Sequence, residues 1–393
     1  MNTAEYIRCI TDVIYQLPDL SSQKKEQFLK SIDRIRKRAE NPSLHTALIG
    51  DYSTGKSTFI NALLGQELLK MAWHTTTAVS AFISYHDKEG IRILAETADG
   101  EKYLLNRPEH RRLLEQKLKI RIPQDEKDAI AYLSATNEFA EQIKRIGIRV
   151  KSIEKLRRIS LIDTPGVNPG AEEAEFHARK TQEVLQKYAD ATIILFQAAQ
   201  VYTGSFSRFL DENAKLFLND AAFVITMMDV IEESRRISLI DYVRFQLEER
   251  FGIKNPPIFS CCAKAALLKQ PDAEGRYWAA QFEQLREELT AYMGECRKKI
   301  IHRQLTYLME TLASEVDAEV TQGSLRLEQK KAVLEEGSIL NKAGSLSQEE
   351  YKRLYTAKYK EYLYEKHRLE VLTQRCGQMH DKLWSCLTQL KRG

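Results

Sequence analysis

The sequence predicts an α/β fold with a mainly parallel sheet, flanked by a bundle of N- and C-terminal helices. Three observations carry that reading. Between about residues 44 and 280, short β-rich runs alternate with helical patterns: "HTALI", "VSAFISY", "IRILAE", "IGIRV", "RISLID", "TIILFQA", "AFVITM" and "PPIFS". Such alternation marks strands joined by helical crossovers and places chemistry at the carboxyl ends of the strands. On either side the strands give way to helix-period stripes. Directly behind the first strand lies the glycine-bearing stretch "GDYSTGKST", Gly50 to Thr58.

The flanking elements follow in order. Tyr6, Ile7, Ile10, Val13 and Ile14 form one helical stripe and Phe28, Leu29, Ile32 and Ile35 a second, with Pro18 between them. From residue 281 onward, Phe282, Leu285, Leu289, Tyr292, Cys296 and Ile300 continue through Leu305, Leu308, Leu312 and Val316 at three-and-four spacing. A helix over 281–336 would span ~80 Å at ~1.5 Å per residue, the length of a stalk. The soft patch "EEGSILNKAGSLSQEE" follows. Then Tyr351, Tyr355, Tyr359 and Tyr362, with Leu369, Leu372, Cys376, Met379, Leu383 and Leu390, predict a second long helix folding back on the first. The expected organisation is therefore residues 1–42 as N-terminal neck helices, 43–280 as the sheet domain and 281–393 as a C-terminal helical hairpin.

Composition narrows the function. A net charge of +4 is small beside 29% charged residues, so no general attraction to nucleic acid follows, and none is expected as a partner. The six cysteines are scattered without metal-ligand spacing and are expected to be reduced. Glu5, Arg8 and Asp12 break up any signal-peptide core, and no apolar run is long enough to span a bilayer. The expected location is cytoplasmic, with any membrane contact peripheral and at the inner face.

The chemistry begins at the phosphate-loop spacing. Gly50 and Gly55 let the backbone of Asp51, Tyr52, Ser53 and Thr54 curl so that successive N–H groups face phosphate oxygens. Lys56 then reaches the β- and γ-phosphates and the Ser57 hydroxyl ligates Mg²⁺. Helix "KSTFINALLG", with Thr58 in its first turn, turns its positive end to the same anion. Strand "RISLID" ends in "DTPG": Asp163 is placed to hold Mg²⁺ through water and the Gly166 amide to bind the γ-phosphate, with Thr164 and Pro165 moving as a switch. Between the two, "WHTTTAV" stands where a switch loop supplies a threonine hydroxyl to Mg²⁺. Thr76 is the candidate, with Thr75 or Thr77 as substitutes. For the base, "AFVITMMD" offers Asp229, whose carboxylate accepts both N1–H and N2–H₂ of guanine. "IFSCCAKAAL" offers a backbone N–H near Ala263 and Lys264 for the guanine O6.

Through "GDYSTGKSTFINALLG", "HTTTAV", "LIDTPGVN", "ADATIILFQAAQVYTGS" and "SCCAKAAL", the chain resembles the dynamin superfamily of P-loop GTPases. It is nearest in style to bacterial dynamin-like proteins and mitofusins. The likeness is specific over about 44–268. It implies GTP as substrate and GDP as product, with Mg²⁺ as cofactor. It also implies a catalytic part for Ser53 beside Lys56 and Thr76, through charge neutralisation between the β- and γ-phosphates. GTPase domains of this kind pair face to face as homodimers, and the resemblance allows higher assembly or a second dynamin-like subunit. Membrane association or remodelling is the implied role, and a soluble switch whose hairpin binds protein partners is the alternative. The excess length between Lys56 and Asp163 suits the family and includes helical stretches near 107–118 and 124–143.

Three departures stand out. Met227 occupies the place of the lysine that packs on the base, which loosens the expected guanine selectivity. Tyr52 stands where eukaryotic dynamins place a water-orienting glutamine. The only candidate lipid-binding tip, "GSILNKAGSL", has Ile339 and Leu340 as its large apolar residues. Other nucleotide enzymes fit less well: a transport ATPase would need "LSGGQ" within the sheet domain, and a small-molecule kinase has no use for "DTPG" with a base-reading aspartate.

Overall fold

In the computed structural model the described residues are 3–17, 20–40, 42–69, 79–135, 141–151, 154–167, 173–268, 272–336 and 348–392. Contacts divide the chain into two compact units, residues 43–300 and residues 1–42 with 301–393.

The first unit is built on a nine-stranded sheet of order β4-β3-β5-β2-β6-β1-β7-β8-β9. Its elements in chain order are β1 (Leu44–Gly50), α3 (Lys56–Leu64), β2 (Ala81–Tyr85), β3 (Arg92–Thr97), β4 (Lys102–Leu104), α4 (Pro108–Leu118), α5 (Glu126–Ser134), β5 (Ile143–Val150), β6 (Ile159–Asp163), α6 (Glu173–Lys187), β7 (Ala191–Gln197), α7 (Gly204–Phe209), β8 (Ala222–Thr226), α8 (Glu233–Phe251), β9 (Ile258–Ser260) and α9 (Ala263–Leu268). The preceding α1 (Thr3–Gln16) and α2 (Ser22–Glu40) belong to the other unit, and α10 (Ala273–Glu336) and α11 (Gln348–Arg392) complete the chain.

Each β-rich run in the sequence forms a strand, because near-continuous Val, Ile, Leu and Phe suits a sheet covered on both faces. The run from β6 through β1, β7 and β8 to β9 is parallel throughout. β2 is antiparallel to β6 yet parallel to β5, and β3 and β4 close that side as antiparallel strands. The helical stretch expected over 124–143 is shorter, since α5 closes at Ser134 and Ile143 already begins β5.

The two faces of the sheet have separate apolar layers. On one, Leu44, Leu48, Leu195 and Val224 pack with Phe59, Ile60 and Leu63 of α3. On the other, Ala47, Ile49, Ile194, Phe196, Phe223 and Ile225 pack beneath Val184, Leu185, Val243 and Leu247 of α6 and α8. The stripe Phe282, Leu285, Leu289, Cys296 and Ile300 joins the first layer, where the Phe282 ring meets Phe59 edge to face at 5.8 Å. Such a pair adds about 0.5–1.5 kcal/mol beyond area burial.

In the helical unit the expected stripes of α1 and α2 are the buried ones, while most of the stripe expected in the last helix, Tyr351, Tyr355, Tyr359, Cys376, Met379, Leu383 and Leu390, lies outside the described side chains. Tyr6, Ile10, Val13 and Ile14 of α1 and Phe28, Ile32 and Ile35 of α2 pack with Leu312, Val316, Val320 and Leu327 of α10 and Leu369 of α11. The buried Tyr6 hydroxyl donates to the Met309 carbonyl, which satisfies its polar end. Cys261, Cys262 and Cys296 are free and buried, whereas Cys9 is disulfide-bonded, against the expectation that every cysteine is reduced.

Candidate functional site

β1 ends at Gly50 and α3 starts at Lys56, so the loop between them lies at the carboxyl end of a central strand. Gly50 is dictated by space: a Cβ there would stand 2.6 Å from Thr54 Oγ1 and 3.0 Å from the Leu195 carbonyl oxygen. The backbone turns through left-handed conformations at Ser53 (φ 61°) and Gly55 (φ 80°). For serine that geometry costs roughly 1–2 kcal/mol and is tolerated where surroundings enforce it.

The enforcement comes from hydroxyls. Thr54 is buried and donates its Oγ1 to the Asp51 carbonyl at 2.9 Å. The Thr226 hydroxyl, at the end of β8, lies 2.8 Å from the Thr54 carbonyl oxygen and 3.2 Å from that of Phe196, tying the loop to two strands. The Asp51 carboxylate accepts from the Tyr52 amide at 2.9 Å and from Thr203 Oγ1 at 2.7 Å, and Thr203 also caps α7.

Inside the loop Lys56 is 8% exposed and donates Nζ to the carbonyls of Gly50 and Asp51, each at 3.0 Å. Burial pushes its ammonium down to about 8, with Asp163 and Asp51 pulling the other way. Asp163, at the end of β6, is 3% exposed and accepts from Ser57 Oγ at 3.0 Å through Oδ2. Burial lifts this carboxyl to about 6, against the opposing pull of Lys56 and the Ser57 hydrogen bond. Both shifts have one origin, removal of charge from water, and each group is the other's nearest relief.

The segment after Asp163 is held on both sides. Thr164 Oγ1 donates to the Leu48 carbonyl at 2.5 Å, and Thr181 of α6 donates to the Pro165 carbonyl at 3.0 Å. Gly166 lies against the phosphate loop: a Cβ on it would stand 3.1 Å from Tyr52 Cα, 3.3 Å from the Tyr52 amide nitrogen and 3.4 Å from Lys56 Nζ. The glycine is the side-chain size that this approach permits. Thr58 occupies the first turn of α3, half-buried.

At the end of β8, Met227 takes a left-handed backbone (φ 59°) and the turn Met228–Val230 presents an exposed Asp229. The Met228 amide donates to the Cys261 carbonyl at 3.1 Å, which sets the Asp229 turn beside the segment bearing Ala263 and Lys264. The Met227 methyl carbon lies 3.6 Å from the Cβ position of Gly55, so this side chain packs the base strand against the phosphate loop. Cys262 is buried, and burial above all pushes its thiol up to about 12, with the nearby Asp229 carboxylate raising it further.

The structure thus brings Gly50 through Thr58 together with Asp163 to Gly166, and joins Asp229 to the same strand ends. Thr75, Thr76 and Thr77 lie outside the described residues. Four contributors escaped the sequence reading: Thr181, Thr203, Thr226 and Cys262. Thr203 has a local signal, a hydroxyl placed before a helix. The others are recognisable only from the folded contacts.

The residues present suit a magnesium ion. Asp163 Oδ1 is buried without a hydrogen-bond partner, beside a serine hydroxyl that meets the other oxygen of the same carboxylate. Hard oxygen donors of this kind match Mg²⁺, which keeps most of its shell for water and phosphate oxygens. Among the described residues no group of three or more His, Cys, Asp or Glu side chains could form a self-contained metal cage.

Comparison with known proteins follows the same span. The Dynamin family pattern matches residues 46–228. Dynamin-like protein A of Bacillus subtilis is 21% identical over 359 residues, which cover 77% of this chain and 29% of that one. A probable transmembrane GTPase, FZO-like and chloroplastic, of Arabidopsis thaliana is 23% identical over 246 residues, covering 62% of this chain and 21% of that one. The chain therefore spans less than a third of the length of either relative. A solved structure of an oligomerised bacterial dynamin pair aligns over 84% of this chain and 48% of its own, at 20% identity and a TM-score of 0.49. Residues 46–228 of the chain thus match the Dynamin family, and the chain is similar to a bacterial dynamin-like protein and to an FZO-like GTPase.

Proposed function

We propose that the protein binds GTP with Mg²⁺ and hydrolyses it to GDP and phosphate, and that its GTPase domains pair across their nucleotide faces to do so efficiently. The observation that supports this most directly is the buried cluster of Lys56, Asp163 and Ser57 on a phosphate loop, with Gly166 against Tyr52. When bound, the metal would be held through Ser57 and Asp163 and would neutralise charge on the phosphate oxygens. Lys56 supplies a fixed cation in a water-poor site, where electrostatic stabilisation is stronger than in water. Thr164 and Thr181 position the Gly166 amide so that loss of the γ-phosphate is felt in the 163–167 segment. Thr76 is assigned the matching role on the other switch loop.

Tyr52 is 40% exposed and carries no carboxamide with which to orient a water. Pairing would exclude solvent and fix Ser53, which supplies what the isolated domain lacks. Specific activity should therefore rise with enzyme concentration. A turnover number that stays flat over a hundredfold range, with no dimer trapped by a transition-state mimic, would reject pairing and leave a self-contained switch. Association with a membrane is the cellular reading we attach to this cycle, supported by the similarity to a probable transmembrane GTPase. Co-sedimentation with anionic liposomes, with and without a nonhydrolysable GTP analogue, tests it.

Asp229 is assigned the choice of base. Asp229→Asn should weaken GTP binding roughly tenfold to a hundredfold, the cost of a buried donor left without its acceptor. Competition binding checks this, and a preference for ATP over GTP in the unaltered protein would refute the guanine assignment.

A further inference from the structure

Helix α8 (Glu233–Phe251) buries Val243 and Leu247 against the sheet and packs Leu239 and Ile240 at the edge of the same layer. Its opposite side is unusual for a solvent-facing helix: Ile237 is 73% exposed, Phe245 57% and Tyr242 48%. Single exposed apolar side chains are ordinary, but three large ones grouped on one helix mark an interaction surface.

The pattern of this surface is self-complementary. Ile237, Asp241 and Phe245 are four residues apart and lie along one line of the helix. If a second α8 is laid antiparallel across the first, with a two-fold axis at Asp241, Ile237 of each copy meets Phe245 of the other. The same register sets Ser234 opposite Glu248. On the flank that carries Tyr242, it brings exposed Arg235 within a turn of the second copy's exposed Glu249, twice over. At the axis each Asp241 carboxylate is already paired with its own Arg244 at 2.7 Å, so two charges of each sign meet there.

We propose that the exposed face of α8 is a docking surface for a second copy of this chain, packed antiparallel about Asp241. The contact does not involve the nucleotide and is separate from the pairing proposed above. A 19-residue helix is about 28 Å long and ~10 Å wide, so the pair buries less than the roughly 800 Å² per partner of a stable interface. A contact of that size belongs with weak, transient interfaces. Combined with nucleotide-face pairing, a second two-fold contact on the same domain would join dimers into an open array.

Sedimentation of the full chain without nucleotide tests this directly. Self-association should appear over the 1–500 µM range and weaken at least tenfold in Ile237→Asp and in Phe245→Asp, positions whose exposure spares the fold. Arg235→Glu and Glu249→Arg should each weaken it, and the double variant should restore it, because both exchanged pairs then re-form across the axis. Under mild oxidation Asp241→Cys should cross-link to itself, and Ser234→Cys should cross-link only when combined with Glu248→Cys, with the unaltered chain as control. A chain that stays monomeric to 500 µM overturns the proposal, as does self-association that ignores Ile237→Asp or a double charge exchange that fails to restore it. Since no nucleotide is present, any of these failures leaves the proposed hydrolysis and nucleotide-face pairing untouched.

Discussion

Replacing Lys56 with alanine should abolish GTP turnover, lowering it by at least about 10²–10³-fold, because it removes the fixed cation from the phosphate loop. Nucleotide binding should weaken with it. The free protein should keep its melting temperature, since Lys56 is charged at neutral pH in a site that burial has made hostile to charge. Its folded value of about 8, below the ordinary 10.5, means that the folded state gives up this proton more readily than the unfolded one. The electrostatic attraction of Asp163 and Asp51 offsets only part of that cost. Turnover measured beside a thermal melt separates the two effects, and near-normal hydrolysis in a folded Lys56→Ala variant would overturn the phosphate-loop assignment.

Asp163→Asn should have the second-largest effect, together with a pH signature. The carboxyl is lifted from 3.8 to about 6, so between those values the folded protein holds a proton that the unfolded chain has released. Stability from this group therefore falls as pH rises through that window, and the full cost is present above about 6. Asp163→Asn removes that cost and should leave the melting temperature of the free protein unchanged or higher. It should also abolish most of the further rise produced by Mg²⁺ with GTP. In the unaltered protein the ligand signs are opposite at the two ends. Magnesium must displace a proton from Asp163 below about 6, and polyphosphate must draw one onto Lys56 above about 8. GTP affinity in the presence of Mg²⁺ should thus form a plateau between those values and fall on both sides. Titration calorimetry in buffers of different ionisation heat reads the proton uptake and release, and a flat profile from pH 5 to 9 would contradict the burial of this pair.

The sequence made "GDYSTGKST", "DTPG" and Asp229 legible as candidates because each is a run of neighbouring residues with a recognisable spacing, and the fold gathers them at neighbouring strand ends. It concealed what depends on distance along the chain. Thr203 serves Asp51 from 152 residues away and Thr226 serves Thr54 from 172, and neither spacing leaves a pattern. The strand β4 was missed because Lys102–Leu104 is three residues at the edge of the sheet, where one face is wet and hydrophobic alternation is weak. The reversed direction of β2 against β6 is likewise invisible, since apolar periodicity is the same whichever way a strand runs. The stripe from Phe282 to Val316 reads as one continuous pattern, yet Phe282 to Ile300 packs on the sheet and Leu312 and Val316 pack with α1 and α2. Periodicity names the buried face of a helix but not what buries it.

The hydroxyl bridges around the phosphate loop bear on the thermodynamics of nucleotide capture. Asp51, Tyr52 and Thr54 are already held by Thr203, Thr226 and by the carboxylate and carbonyl of Asp51, so little chain freedom remains to be lost when a ligand arrives. The unfavourable entropy of binding should then come mainly from segments other than this loop, and heat-capacity changes should report their ordering rather than any rearrangement of the cradle. Cutting one bridge, as in Thr226→Val, would transfer part of that loss to the loop itself. Its mark would be a less favourable binding entropy, partly offset by enthalpy.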